Sequence, residues 1–246
     1  METLKIHAYF ICFNERLILP HLLKHYGNFC ERITIIDNYS NDGSRELIRS
    51  FKNVNLYSYD SGNEFRDDYF INIKNNCWKS SIGFCDYVIV GDCDEFIYHY
   101  DIEKFFKRSK ELEVSIIKPV GYHMVADLNF NLSNCENIFE IDKGVREDLL
   151  DKCLIFNPNK IKEINYSFGC HKCNPIGEVK MGQSKDLFLK HYKFVGLDAY
   201  VNKTIEYGKR MSQYNKDRKL SIHNLRTKQE LIDDYIFHLE KRENLK

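Results

Sequence analysis

Residues 87–98 read YVIVGDCDEFIY, a short apolar run that ends in three carboxylates within four positions: Asp92, Asp94 and Glu95. Like charges packed this closely repel, and a chain tolerates them most easily where something positive sits among them. The apolar run reads as a short buried strand. In an extended segment, residues two apart point to the same side. Asp92 and Asp94 therefore present their carboxylates together, and Cys93 points the other way, toward the core.

Upstream of this strand the chain alternates between two periodicities. IHAYFICF (6–13) reads as a buried strand ending at Asn14, and PHLLKHYGN (20–28) as a short helix with Pro20 in its first turn. RITIID (32–37) is a second strand, bounded by the turn-rich NYSNDGS. SRELIRSF (44–51) follows as a helix that Asp42 or Ser40 can cap, and VNLYSY (54–59) is a third strand. Between 64 and 83, Phe65, Tyr69, Phe70, Ile73, Cys77, Trp78 and Ile82 recur at helical spacing, which predicts one long helix with Trp78 in the core and Lys74 on the surface.

Strands and helices in this rhythm imply βαβ units and a mostly parallel sheet, an α/β fold class. In such sheets ligands bind beyond the carboxyl ends of the strands. Three polar clusters stand at those ends, Asn14–Glu15, Asp37 through Asp42 and Asp92 through Glu95, and they should converge on one edge. The second half is less regular. EVSIIKPVGYHMV (113–125), NIFEID (137–142), KCLIF (152–156) and DLFLKHYKF (186–194) read as strands, with closing helices near 198–212 and 227–243. No linker or repeat interrupts the chain, so a single domain over 1–246 is expected, with a sheet half (1–100), a second half (101–195) and C-terminal helices (196–246).

The 246 residues suffice for one sizeable core, and 43% hydrophobic with 29% charged residues is ordinary for a soluble chain. The formal net charge is zero, so no global bias calls for nucleic acid as a partner. The nine cysteines lack paired framework spacing and read as reduced thiols of a cytoplasmic protein. Cys170 and Cys173 form one CxxC with no second ligand pair for zinc. The apolar run before Asn14 is too short for a signal peptide, and no run approaches the roughly 20 residues needed to span a bilayer.

Two carboxylates are too few to cage a cation alone. They suit Mg²⁺ or Mn²⁺, which keep waters and complete their shell with phosphate oxygens. An Asp-x-Asp pair also occurs by chance as a solvated turn; its place after a buried strand is what favours the site. Together CFNERLILPHLLKHYGN, ITIIDNYSNDGS and YVIVGDCDEF resemble the family 2-like glycosyltransferases with a GT-A fold, over about residues 5–100. DKCLIFNP, GCHKCNP and LKHYKF carry a weaker echo of it.

The resemblance implies a metal-dependent, inverting transfer of a sugar from a nucleotide diphosphate donor, a UDP-sugar foremost, to a glycan or lipid-linked hydroxyl. It implies a setting in bacterial surface-glycan synthesis. Asn14 and Glu15 fall where such enzymes hold base and ribose. Asp37 with Asn38 falls where an acidic residue contacts the nucleoside, and Asn38 departs from the second acid many members carry there. Asp92 and Asp94 match the metal pair, with Asp92 also near the nucleotide, and His171 is a candidate third metal ligand or pyrophosphate contact. Arg66 grips a phosphate or pairs with Asp67 or Asp68.

An inverting transfer needs a carboxylate base. Asp127, Glu147 and Asp148 are the candidates after the metal motif, with Asp127 and Asp148 preferred. His191 stands behind His171 as a candidate, its neighbour Tyr192 reading as core. The basic stretch 200–220, with Lys203, Lys209, Arg210, Lys216, Arg218 and Lys219, reads as a solvated face or as docking to the inner membrane surface. Leu231, Tyr235, Ile236 and Leu239 form a stripe for packing or a homodimer contact. A non-catalytic sugar-nucleotide or glycan-binding module is the rival reading, and a nucleotidyltransferase a second one that would want a Gly-rich loop where this chain reads CFNERLILP.

Overall fold

The computed structural model describes residues 3–245; Met1, Glu2 and Lys246 of the expected 1–246 domain lie outside the described residues. The first half is βαβ throughout. Strand β1 (Ile6–Cys12) leads to α1 (Leu19–Gly27), β2 (Arg32–Asp37) to α2 (Ser44–Arg49), and β3 (Val54–Ser58) to α3 (Asp67–Asn76), which returns to β4 (Tyr87–Asp92). β1 pairs in parallel with both β2 and β4, and β2 in parallel with β3. β1 is thus central, and all seven of its residues are buried. Its Ala8, Phe10 and Cys12 face one core cluster while Tyr9 faces the other, as expected of a parallel strand covered on both sides.

The chain then adds β5 (Glu95–Tyr98), α4 (Ile102–Glu111), β6 (Ile116–Val125), β7 (Lys143–Arg146) and the two-residue β8 (Ile155–Phe156). β8 lies between β4 and β6, antiparallel to each, so β6 runs in the direction of β4. β9 (Ile161–Glu163) and β10 (Ile176–Gly177) form a separate ribbon. The long β11 (Met181–Phe194) runs parallel to β6 and antiparallel to β5. Helices α5 (Leu197–Lys209), α6 (Gln213–Asp217) and α7 (Lys228–Lys241) follow, and β12 (Glu243–Asn244) closes against β7. The result is the expected α/β architecture, a mostly parallel central sheet flanked by helices. Among the described residues no helix is long and apolar enough to cross a membrane.

Several local expectations are corrected. The helix expected over 64–83 is α3 followed by a 3-10 turn at 77–81, which rotates the stripe. Trp78 is sealed in the core, but Tyr69 and Ile82 are exposed, and Lys74 is buried. NIFEID forms a 3-10 turn, because the Asn137 side chain accepts the Phe139 amide and caps it instead of extending. Helices α4 and α6 appear where no element was anticipated. The stripe of the last helix is partly core: Leu231 and Tyr235 are fully buried, while Ile236 remains exposed.

Candidate functional site

The three polar clusters converge as expected at the carboxyl edge of β1, β2 and β4. Asn14 takes a left-handed backbone (φ 54°), which asparagine tolerates, and its amide donates to Ser40 Oγ at 2.8 Å. Its side chain and Asn41 exchange hydrogen bonds of 2.9 and 3.1 Å. The Glu15 and Arg16 amides donate to Ser44 Oγ and Asp42, so the loop after β1 is fastened to the start of α2. Asp42 also accepts the Ser44 amide at 2.9 Å in a local turn, but the N-cap of α2 is Gly43 in a left-handed conformation, so neither Asp42 nor Ser40 takes the capping position read from the sequence.

Asp37 is fully buried. It accepts from the Ser40 amide and hydroxyl and from Arg45 at 2.5 Å, closing the turn between β2 and α2. Asn38 exchanges hydrogen bonds with Ser61. Arg66 is held by Asp68 in a fork at 2.7 and 3.0 Å and rests over Tyr69, the pairing alternative of the sequence reading.

The acidic motif opens into a cavity of about 250 Å³. Asp92 and Asp94 both line it, but Asp92 ends β4 and Cys93 and Asp94 form the turn before β5, so the two carboxylates meet across a turn and not by strand alternation. Cys93 is buried, its thiol toward the Ile11 carbonyl, and reaches the same cavity. The positive charge that the motif called for is supplied by three lysines. Lys74 from α3 meets Asp92 at 2.7 Å, Lys203 from α5 meets Asp94 at 3.0 Å and Glu15 at 2.6 Å, and Lys152 meets Glu95 at 2.5 Å. This departs from the sequence expectation, which puts Lys74 on the surface and Lys203 in a stretch that is either a solvated face or a membrane-docking one. The available signal was Lys74 at i+4 from Phe70 and i−4 from Trp78, a charge on the buried stripe.

Burial pushes the Glu15 carboxyl up to about 7, with Lys203 opposing and Asp94 and Asp92 adding to the rise. Burial works in the same direction on Asp94, but Lys203 and His191 outweigh it and hold that carboxyl well below the usual range. His191 Nε2 lies 3.4 Å from Asp94 Oδ1.

Four carboxylates (Glu15, Asp67, Asp92, Asp94) line this cavity against three ammonium groups (Lys74, Lys193, Lys203). The excess of hard oxygen donors fits a divalent cation, and the Asp92 side chain is 41% exposed to receive one. Among the described residues no group of three or more His, Cys, Asp or Glu side chains is placed to hold a metal, so such a cation would draw the rest of its shell from phosphate and water.

The expected third ligand, His171, does not join this lining. Its Nδ1 pairs with the Leu149 carbonyl at 2.8 Å, while its neighbours Gly169 and Cys170 reach the wall. The histidine beside the pair is His191. Both preferred bases also lie elsewhere. The Asp127 carboxylate is 83% exposed and held by Arg242 at 2.5 Å, and Asp148 is 91% exposed and held by Arg146 at 2.9 Å. Glu147 caps the short turn at 148–150 by accepting the Leu149 amide.

No protein-family model matches the sequence, and no curated protein matches it. Solved structures do. TarS of S. aureus matches over 84% of this chain and 39% of its own, at 11% identity and a TM-score of 0.48. The S. aureus TarS 1–349 structure matches over 95% and 71%, at 10% identity and 0.48. GalNAc-T7, in a structure with UDP, GalNAc and Mn²⁺, matches over 50% and 24%, at 12% identity and 0.38. The chain spans about two-fifths of the length of the first of these TarS structures.

Proposed function

We propose that this chain is a glycosyltransferase of GT-A type that moves a sugar from a nucleotide diphosphate donor, a UDP-sugar foremost, to a hydroxyl of a glycan or lipid-linked acceptor, with inversion. The observation that carries this reading is the pairing of Asp92 and Asp94 with Lys74 and Lys203 in one cavity beyond the carboxyl ends of parallel strands. Asp92 and Asp94 would hold Mn²⁺ or Mg²⁺. Bound there, the cation neutralises a diphosphate and stabilises it as a leaving group.

The chain's own residues do the remaining work. Lys74, which is buried, and Lys203, whose side chain is 34% exposed, bring ammonium charge to phosphate oxygens, and Glu95, locked by Lys152, fixes the turn that aims Asp92 and Asp94. Phe65 and Phe70 supply apolar wall against which a nucleobase can rest. Assembly of a bacterial surface glycan on the cytoplasmic side, by one domain working at the membrane surface, is the setting this reading takes from the motif resemblance.

The test is thermal unfolding with UDP, GDP, CDP and dTDP, each with Mn²⁺ and with EDTA, on the wild type and Asp94→Asn. A ligand at about 100 times its dissociation constant adds roughly 2.7 kcal/mol. For a chain of this length that is a rise of about 2–4 °C. The expected result is a shift with one nucleotide that needs both metal and Asp94. Absence of a shift with every nucleotide would leave the site without its donor and favour a glycan-binding module.

A further inference from the structure

A second cavity, of about 470 Å³, adjoins the first. Its walls are mostly apolar, with Phe13, Leu132, Val195 and Ala199 among them, and it shares Glu15, Lys193, Tyr200, Lys203 and Tyr207 with the charged cavity. Glu15, Asp42 and Glu206 are the acidic residues on this second lining. Asp42 is spent on the Arg16 and Ser44 amides, and Glu206 faces Lys209 at 3.7 Å. Glu15 is the one carboxylate common to both linings, and its side chain is only 10% exposed.

We propose that the second cavity is the acceptor site and that Glu15 is the base of the transfer, placed where the two cavities meet. This rests on the donor reading above and extends it. An acceptor with an apolar ring face fits the apolar walls, its hydroxyl turned to Glu15. The Glu15 carboxylate takes the hydroxyl proton as the acceptor oxygen forms its bond to the anomeric carbon. The bond from that carbon to the diphosphate breaks, and the diphosphate leaves with the electron pair. The proton ends on Glu15 and the charge on the leaving group.

Lys203 suits this exchange, because it bridges Glu15 and Asp94 at 2.6 and 3.0 Å. The oxygens of an arriving diphosphate compete with Glu15 for this ammonium, which frees the Glu15 oxygens. Glu15 faces Lys203 and Tyr207 from α5, Tyr207 Oη being 3.4 Å away, and the charges of Asp92 and Asp94 from the acidic turn.

The experiment uses the full chain. The nucleotide that shifts melting selects the sugar nucleotides to try, and nucleoside diphosphate release from them is followed with water, methyl glycosides and alkyl glycosides as acceptors. Glu15→Gln is expected to lower kcat by about 10²–10⁴-fold, the usual worth of a base, with nucleoside diphosphate affinity changed by less than about threefold. Glu15→Asp should keep more turnover than Glu15→Gln. Ala199→Trp, an exposed position on the second lining, should raise the acceptor KM and leave nucleoside diphosphate affinity unchanged.

Turnover by Glu15→Gln within about tenfold of wild type overturns the assignment of the base, while nucleotide binding keeps the donor reading intact. Loss of nucleotide affinity in proportion to lost turnover also overturns it, and puts Glu15 on the donor. An unchanged acceptor KM in Ala199→Trp overturns the acceptor site. So does wild-type protein that binds nucleotide yet releases none from any donor. No nucleotide shift at all removes the donor reading itself.

Discussion

Lys152 and Glu95 meet at 2.5 Å across 57 residues of sequence, with side chains 6% and 1% exposed. Both ends of the carboxylate are used, since Glu95 Oε2 accepts the Asp92 amide at 3.0 Å. The Glu95 carbonyl accepts from Tyr26 Oη, itself buried. Gly91 stands beside this carboxylate, where a β-carbon would come within 3.1 Å of Oε2. Glu95 is therefore the anchor of the turn and belongs to the scaffold that aims Asp92 and Asp94.

Breaking this pair should be expensive. Lys152→Met leaves a sealed carboxylate without its cation, a loss of about 3–5 kcal/mol. The double change Lys152→Met with Glu95→Gln should cost much less than the sum of the singles, because neither strands a charge. Burial raises the Glu95 carboxyl, but Lys152 and Lys74 outweigh it and hold it well below its usual range. A carboxyl so depressed contributes stability above the ordinary glutamate pKa and loses it as the pH falls toward the folded value. Urea unfolding from pH 7 to pH 3 should show acid lability in the wild type that is reduced in the double variant; equal acid slopes would rule the pair out as its source.

Glu15 should behave with the opposite sign. Its carboxyl is raised from 4.5 to about 7, so the folded state prefers it protonated. The stability this gives is present below 4.5 and is lost as the pH rises through 7. In EDTA, the stability of Glu15→Gln relative to wild type should therefore climb between those values, by up to about 3 kcal/mol. A difference that stays flat across that range would show that Glu15 titrates normally.

The strand–helix rhythm of the first half was legible because it is local. Each of β1, β2 and β4 announces itself in an apolar run, and the rule that ligands sit beyond such strands placed Asn14, Glu15, Asp92 and Asp94 at one edge. The cations were not legible for the opposite reason. Lys203 reaches Asp94 from 109 residues away, and nothing near Lys203 in sequence marks it apart from Lys209 or Lys216. Lys74 carries a signal in its place on the stripe, but a lysine is so seldom buried without a partner that sequence alone favours the surface for it. Asp127 and Asp148 qualify in the sequence only by their position after the metal motif, and side-chain direction, which sequence does not give, sends both to the surface.

Those two aspartates furnish a prediction of silence. Asp127 and Asp148 are exposed partners of Arg242 and Arg146, and exposed pairs contribute about 0–1 kcal/mol. Asp127→Asn and Asp148→Asn should leave turnover within about twofold of wild type and shift stability by no more than about 0.5 kcal/mol. A hundredfold loss of turnover in either, with donor affinity kept, would transfer the role of base from Glu15 to that residue.

Lys203 decides how the cavity trades its own cation for another. Its ammonium serves Glu15 and Asp94 together, and both favour its charged form against the penalty of burial. Lys203→Met strips that charge from two largely buried carboxylates and, since the lysine is itself 34% exposed, should destabilise the protein by about 1–3 kcal/mol in EDTA. The vacated position then lies against the oxygen donors of Asp94 and Glu15, a set that suits a hard divalent ion. Mn²⁺ alone should therefore raise the melting temperature of Lys203→Met well beyond its effect on the wild type, where lysine competes for the same oxygens. Nucleoside diphosphate affinity should fall in the same variant, since the phosphate loses an ammonium partner. If Mn²⁺ raises the melting temperature of Lys203→Met no more than that of the wild type, Asp94 is not a cation ligand, and the charge on the diphosphate in the wild type must be met by the lysines of the cavity, Lys74, Lys193 and Lys203.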